Sequence, residues 1–505
     1  MEERYIATVD LGSSKIAVGV AQVVDRNVQV LYYKETPSVG IRYSTVLNPT
    51  KASEPLKQAL ENAEKELGIS ITQLVIGLPR YSVRQECRPA SMPRTDPQSC
   101  ITEEEIISLK DMALDGYPLS DENKEEIFGA VAQSFSADDI IQGLESDIIG
   151  IPSDVLEGNF KIFIGSKRAV SNIDILMKNV GIQSVFRYFL PDVTAKAVLT
   201  SQEMDNGVAL IEFGAGVTSV TIYQRSILRH YSSIPFGSKN VTMDIKYECG
   251  FTERLSENLK LAYGACIPEK LVTMGDKIIQ INDEESGSSE QLPVKYLSEI
   301  ITAREREIIT AILYEIQRSG YADKLRSGVV VTGGGSNMAN LGNLLKDMSG
   351  YNVRMGYPRC KQLSFEGVES ICELGATATV GMILAAKDNK YINCTTERKK
   401  DGSYEASQEG TVFEEIKTAT KRSFLSGWKK SKPAPAAPVT VEVPKVEEAP
   451  AMVEIPDEAA APEVEKAPEQ GKKKPGKVFW GGNKITEGIG NLFDGTVGSL
   501  FDDMK

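Results

Sequence analysis

The chain has 505 residues, 41% of them hydrophobic and 25% charged, a globular balance with length for two or more packed units. A net charge of −13 argues against a general nucleic-acid binder and leaves any basic work to a local cluster. The single histidine, His230, argues against a Ser-His-Asp triad and leaves zinc without its usual ligands.

The chain enters a strand directly after Met1-Glu2-Glu3-Arg4, and no apolar run reaches the length of a membrane span, so a protein made in the cytosol is expected. Tyr5-Ile-Ala-Thr-Val-Asp-Leu-Gly-Ser-Ser-Lys-Ile-Ala-Val-Gly-Val20 reads as an apolar strand, an acidic residue, a glycine turn and a second strand, which together predict a β-hairpin. A helix is expected over Pro55–Leu67 and a strand over Gln73–Leu78. Thr102–Leu114 reads as a helix opened by a capping box, Thr102 with Glu105. A strand at Lys161–Ser166 and a helix at Val170–Val180 follow. The hairpin pattern then returns in Gly207-Val-Ala-Leu-Ile-Glu-Phe-Gly-Ala-Gly-Val-Thr-Ser-Val-Thr-Ile222, which aligns Glu212 with Asp10 and Gly214 with Gly12. The repeat predicts a duplicated α/β domain with a ligand cleft between the halves. A long helix at Ser298–Ser319, a buried strand at Gly328–Thr332 and a helix at Glu373–Leu384 complete the folded part. Seven cysteines at irregular spacing, with no CxxC pair, predict reduced thiols.

Three glycine-bearing loops carry the chemistry. In Asp10-Leu-Gly-Ser-Ser-Lys15, Gly12 lets backbone N–H groups approach phosphate oxygens, and Ser13, Ser14 and Lys15 add hydroxyls and a positive charge. Asp10, at the strand end, is placed to hold Mg²⁺ through water. In the second loop Gly214, Ala215 and Gly216 repeat the approach, the Thr218 hydroxyl is expected to bond a phosphate, and Glu212 to orient water or Mg²⁺. Asp10 and Glu212 are thus the candidate catalytic carboxylates. In the third, Val329-Val-Val-Thr-Gly-Gly-Gly-Ser-Asn-Met338, Gly333, Gly334, Gly335 and Asn337 would let a flat base lie on the backbone, with a helix starting near an N-cap at Ser336.

Loops of these types in this order resemble the actin, Hsp70 and sugar-kinase superfamily, in which ATP lies between two RNase-H-like domains. By that resemblance, Pro191–Leu199 and Glu373–Gly381 correspond to the two connecting helices. Within the superfamily the chain resembles the FtsA family of bacterial cell-division proteins. The runs Ile101-Thr-Glu-Glu-Glu-Ile106, Glu126–Asp138 and Gly150-Ile-Pro152 look like the FtsA inserted subdomain. Glu257-Asn-Leu-Lys260, followed by Tyr263-Gly264-Ala265, looks like the adenosine-contacting helix, and Ile300–Ile309 like the helix before the adenosine loop. The implied α/β architecture has a first RNase-H-like domain from 1–83, 166–200 and 370–388, and an inserted subdomain at 84–165. A second RNase-H-like domain comes from 201–238 and 299–369, with a small subdomain at 239–298. The implied cofactors are ATP and Mg²⁺. The implied partners are other copies of the chain in actin-like protofilaments, the C-terminal tail of FtsZ, other division proteins and the membrane. Arg304 is the candidate contact for the acidic FtsZ tail, whose docking the resemblance places on the small subdomain. The implied place is the cytoplasmic face of the membrane at the division septum.

One departure bears on turnover. The superfamily's second phosphate loop usually reads Asp-x-Gly-Gly-Gly-Thr-Thr-Asp, whereas here Glu212, Ala215, Val217 and Ser219 replace an Asp, a Gly, a Thr and the last Asp. Binding through backbone N–H groups should survive, and slow or absent hydrolysis is expected.

After residue 388 the composition changes. A disordered linker is expected over 389–476, since segments such as Pro433-Ala-Pro-Ala-Ala-Pro438 bury too little apolar surface to offset their ordering entropy. Within it, 411–430 reads as a basic amphipathic helix suited to a lipid surface. At 477–505, Phe479 and Trp480 precede Ile485, Ile489, Leu492, Phe493, Val497, Leu500 and Phe501, which share one helical face. By position this resembles the FtsA membrane-targeting helix. Two other readings use the same fold: a small-molecule kinase, and a pilus-assembly adaptor.

Overall fold

The computed structural model describes residues 3–396 apart from 26, 116, 139, 140, 183, 273 and 283–288. The segments 411–430 and 477–505 therefore lie outside the described residues.

Both predicted hairpins form. Glu3–Leu11 runs antiparallel to Lys15–Val24, with Asp10 opposite Ala17. Val208–Phe213 runs antiparallel to Thr218–Gln224, with Glu212 opposite Ser219. Each hairpin continues into a third antiparallel strand, Asn27–Pro37 in one case and Ile227–Ile234 in the other. The first strand of each is flanked on its other edge by a parallel strand, Gln73–Gly77 and Val329–Thr332 respectively. A second parallel strand lies outside that one, Ser184–Tyr188 and Val353–Met355. Five strands thus take the same order in both lobes, the duplication expected from the repeat. Buried on both faces, these central strands read as unbroken apolar runs: Ile6, Ala7, Val9 and Val329 to Val331 are fully buried.

The helices cover the sheets. Pro49–Leu67 starts earlier than the expected Pro55: Asn48 is the N-cap, its Oδ1 accepting from Lys51 N–H at 3.0 Å, and Pro49 takes the first-turn place where its missing donor does no harm. Glu103–Asp115 has the predicted capping box: Thr102 N–H donates to Glu105 Oε2 at 2.9 Å and Glu105 N–H to Thr102 Oγ1 at 3.3 Å. This helix lays Ile106 and Leu109 against Leu156 and Phe160 of a separate four-stranded antiparallel sheet. That sheet also touches the second lobe, where Gln133 Nε2 donates to Leu228 O at 3.0 Å and Arg229 Nη1 to Gln133 O at 2.8 Å.

Several expectations are corrected. Ser364–Phe365, placed with the second domain, pairs with Asn27–Pro37 and extends the first sheet. The chain after 388 stays on the first lobe to residue 396: Ile392 and Cys394 are buried, and Thr395–Thr396 pairs with Ser70–Ile71. The Arg4 guanidinium holds this segment by donating to the carbonyls of Asn389 at 2.8 Å and Ile392 at 3.0 Å. Sequence composition missed it because two buried side chains in a polar stretch leave no periodicity. The reading of seven reduced cysteines fails at one pair, since Cys360 and Cys372 are disulfide-bonded with Cα atoms 5.9 Å apart.

The long helix Val294–Arg318 buries a carboxyl group. Glu305 is 1% exposed, and its Oε2 has no hydrogen-bond partner. Burial pushes its pKa up from 4.5 to about 7, against the opposing pull of Lys260 and Arg304. Below pH 4.5 the group is protonated folded or unfolded and adds no pH dependence. Between 4.5 and about 7 only the unfolded chain ionises, so stability falls as pH rises, by about 3 kcal/mol in all. Glu305→Gln should therefore gain on the parent across that interval and hold its gain above pH 7. Urea melts at pH 5, 6 and 8 would show it; parallel stability profiles for the two proteins would refute the assignment.

Candidate functional site

The two glycine turns face each other across a cleft of about 440 Å³. They are built alike: Gly12 N–H donates to Lys15 O at 3.0 Å, and Gly214 N–H to Val217 O at 2.9 Å. A Cβ on Gly12 would lie 2.7 Å from Lys15 O, and one on Gly214 would lie 2.6 Å from Val217 O, so neither turn admits a side chain. The loops also meet directly. Ser13 Oγ accepts from Ser44 N–H at 2.9 Å and sits 2.9 Å from where a Cβ on Gly216 would be.

Of the residues expected to hold nucleotide, Gly12, Ser13, Ser14, Lys15, Gly214, Ala215 and Gly216 line the cleft, as do Glu257, Lys260, Gly333 to Gly335 and Asn337. Thr218 does not. Strand alternation turns it into the core, where it is fully buried and its hydroxyl donates to Phe236 O at 2.9 Å; Ser219 faces the cleft instead. Lys15 is ion-paired with Glu35. Lys260, on the helix Glu253–Tyr263, is 7% exposed. Its Nζ donates to Thr242 Oγ1 at 2.9 Å, Glu257 Oε2 at 2.8 Å and Ser238 O at 3.1 Å.

The third glycine loop enters the same cleft after the strand Val329–Thr332. Gly333 takes φ +89°, and its N–H donates to Leu374 O at 3.2 Å, at the foot of the final helix. The helix expected from Ser336 is absent there. A 3₁₀ turn covers Gly334–Asn337, the Ser336 hydroxyl bonds Gly333 O at 2.5 Å, and the α-helix starts only at Leu341.

Asp10 and Glu212, at equivalent strand ends, line the floor of the cleft, with Arg80 between them. Arg80 Nη2 lies 3.5 Å from Asp10 Oδ1 and 3.2 Å from Glu212 Oε1. Burial raises the Glu212 pKa; Arg80 lowers it in part, and Asp10 raises it again. Sequence reasoning missed Arg80, Glu35, Ser44 and Glu373 in this lining. For Arg80 one signal existed: it follows Gly77-Leu78-Pro79 at the carboxyl end of a buried parallel strand, the edge where α/β sheets place ligands.

The donor set fits a phosphate chain and a hard divalent cation. It offers carboxylate and hydroxyl oxygens, an unbonded buried Asp10 Oδ1 and no thiol or imidazole. Among the described residues no group of three His, Cys, Asp or Glu could hold a metal by itself.

Arg304 lies outside the cleft lining, and its charge is already committed. It grips Asp244 of the helix Ser238–Cys249 at 2.5 Å (Nε–Oδ2) and 2.9 Å (Nη2–Oδ1), and also pairs with Glu307. The membrane-facing residues expected at 479–501 fall outside the described residues. Among those described, no helix is long and apolar enough to cross a membrane.

Two duplicated lobes around such a cleft define an actin-like fold. The PilM–PilN type IV pilus biogenesis complex superposes with a TM-score of 0.50 at 15% identity, covering 76% of this chain and 98% of that one, a likeness of fold alone. The particular likeness is to FtsA, as the sequence motifs led us to expect. The family profile described as "Cell division protein FtsA" matches residues 209–379. The cell division protein FtsA of Neisseria meningitidis is 28% identical over 363 residues, covering 71% of this chain and 85% of that protein. That of Borreliella burgdorferi is 26% identical over 397 residues, covering 78% and 93%.

Proposed function

We propose that the cleft holds ATP with Mg²⁺ and that the protein is an actin-like division protein, assembling at the septum and tethering FtsZ filaments to the cytoplasmic membrane. The observation that carries the nucleotide reading is the pair of matched glycine turns facing each other across Asp10 and Glu212. In this reading Ser13, Ser14 and Lys15 bind the phosphate chain from one lobe and Gly214 to Gly216 from the other. Lys260 and Glu257 flank the nucleoside, and Gly333 to Gly335 support the base. Mg²⁺ would sit by Asp10, where it supplies charge neutralisation for the phosphates. Glu212 stands against Arg80, poorly placed to accept a proton from water, which supports slow or absent turnover.

The assembly and tethering reading rests on the likeness to FtsA and on the amphipathic terminal segment, 477–505. Co-sedimentation of FtsZ with vesicles tests it. Full-length chain should carry FtsZ into the vesicle pellet, a truncation at 476 should lose most of that transfer, and a truncation at 405 should lose all of it. Equal pelleting by all three would contradict the tether.

The contact with the acidic FtsZ tail is proposed at Arg304, where Asp244 stands in for the tail's carboxylates. Asp244→Ala should then tighten binding of the FtsZ C-terminal peptide, and Arg304→Ala should weaken it. Unchanged affinity in both variants, by fluorescence anisotropy, would remove Arg304 from the interface.

A further inference from the structure

The charge balance of the cleft turns on one residue that no motif contains. Lys15 is paired with Glu35, and Lys260 with Glu257. Among the lining side chains this leaves Asp10, Glu212 and Glu373 to be balanced by one further cation, Arg80. A phosphate chain entering the cleft brings further negative charge, so the two floor carboxylates must be neutralised for it to stay.

Arg80 is placed for that task. It is 8% exposed, and Tyr231 fixes the backbone behind it by donating its hydroxyl to Arg80 O. Its Nη2 reaches both carboxylates, yet the contacts are ion pairs at 3.5 and 3.2 Å, and neither Nε nor Nη2 has a hydrogen-bond partner. A buried guanidinium with two unmet donors retains capacity for one more acceptor. A structural pair formed by a guanidinium of this burial ordinarily closes with bonded geometry, as Arg94, 7% exposed, does on Glu105 at 2.9 and 3.2 Å.

We propose that Arg80 is a resident counter-cation of the phosphate site: it neutralises Asp10 and Glu212 and offers its unmet donors to the phosphate chain, sharing the charge that Mg²⁺ would otherwise carry alone. The proposal rests on the nucleotide reading above and names the residue that sets how strongly nucleotide binding depends on a divalent cation. The geometry also makes Arg80 a link between the lobes, because Asp10 and Glu212 end strands of different sheets. A purely structural link would change stability without changing the metal dependence of binding, and the test uses that difference.

Calorimetric titration of the full-length chain with ATP, once in Mg²⁺ and once in EDTA, gives a ratio of dissociation constants. Removing one member of a buried ion pair leaves the other charges uncompensated, so even a partial share of that loss should register. Arg80→Gln should raise the EDTA-to-Mg²⁺ ratio by about tenfold or more over the parent, equivalent to about 1.4 kcal/mol of coupling between Arg80 and the cation. Arg80→Lys keeps the charge and should stay within about threefold of the parent ratio. The same ratio in Arg80→Gln as in the parent would overturn the proposal while leaving the nucleotide reading intact. An absence of ATP binding by the parent protein in either buffer would overturn the nucleotide reading itself. Should Arg80→Gln melt below the assay temperature, Arg80→Lys decides: a ratio raised as far as tenfold would show that bare charge is not what Arg80 supplies.

Discussion

Gly381→Val is expected to destabilise the protein by more than about 3 kcal/mol, and Gly381→Ala by about 1–2 kcal/mol, against the sign that helix propensity predicts. Gly381 lies inside the final helix, Thr377–Lys387, where Ala would ordinarily gain about 1 kcal/mol over Gly. Here the helix crosses the helix Leu190–Val198, and a Cβ on Gly381 would lie 2.6 Å from Val193 O and 2.8 Å from Val193 C. The obstacle is backbone, so no rotamer change relieves it, and the two helices must move apart. Their separation would also disturb Leu374 O, the acceptor for Gly333 N–H. The overpacking term therefore exceeds the propensity term. Chemical denaturation of the two variants beside the parent would read both effects, and an Ala variant more stable than the parent would show that the crossing is looser than the distances state.

The second large effect concerns Lys260. Its ammonium is buried and held by three acceptors, one of them Glu257, in the wall of the cleft. Lys260→Met keeps the stem length and the packing while removing the charge and all three hydrogen bonds. Charge-assisted hydrogen bonds contribute about 1.5–3 kcal/mol, and Glu257 is half-exposed, which lowers the share lost with it. All three ammonium donors are engaged by the wall, so the binding loss comes through the released wall: ATP should bind roughly thirtyfold more weakly, about 2 kcal/mol, on the proposed assignment of Lys260 to the nucleoside end. Since that end carries no metal, the loss should be equal in Mg²⁺ and in EDTA, the opposite of the pattern expected for Arg80→Gln. A loss confined to one of the two buffers would reassign Lys260 to the phosphate end.

Local pattern revealed much of the architecture. Two hairpins with the same acidic residue and glycine at matched places read as a duplication because each is continuous in sequence, and a parallel strand such as Val329–Thr332 announces itself by an unbroken apolar run. What the sequence hid is what depends on distant partners. Arg80 is a single charged residue after a turn, and nothing near it in the chain shows that Glu212 will lie beside it. Thr218 and Ser219 differ only in parity: the number of residues spent in the turn decides which hydroxyl faces the cleft, and that count depends on the Gly214–Val217 hydrogen bond. Nothing near Arg304 in the chain shows that Asp244, on another helix, already pairs with it. Ser364–Phe365 is too short a strand to show a period, and only its pairing with the first sheet identifies it.

The central claim is that three loops from different parts of the chain converge on one bound nucleotide. Hydrogen exchange of the full-length protein with and without Mg·ATP tests it most directly. The account predicts that slowed exchange appears together in 10–15, 212–218 and 333–337, at the same ATP concentration in all three. Protection in one loop alone, or in none of them while ATP is demonstrably bound, would contradict it.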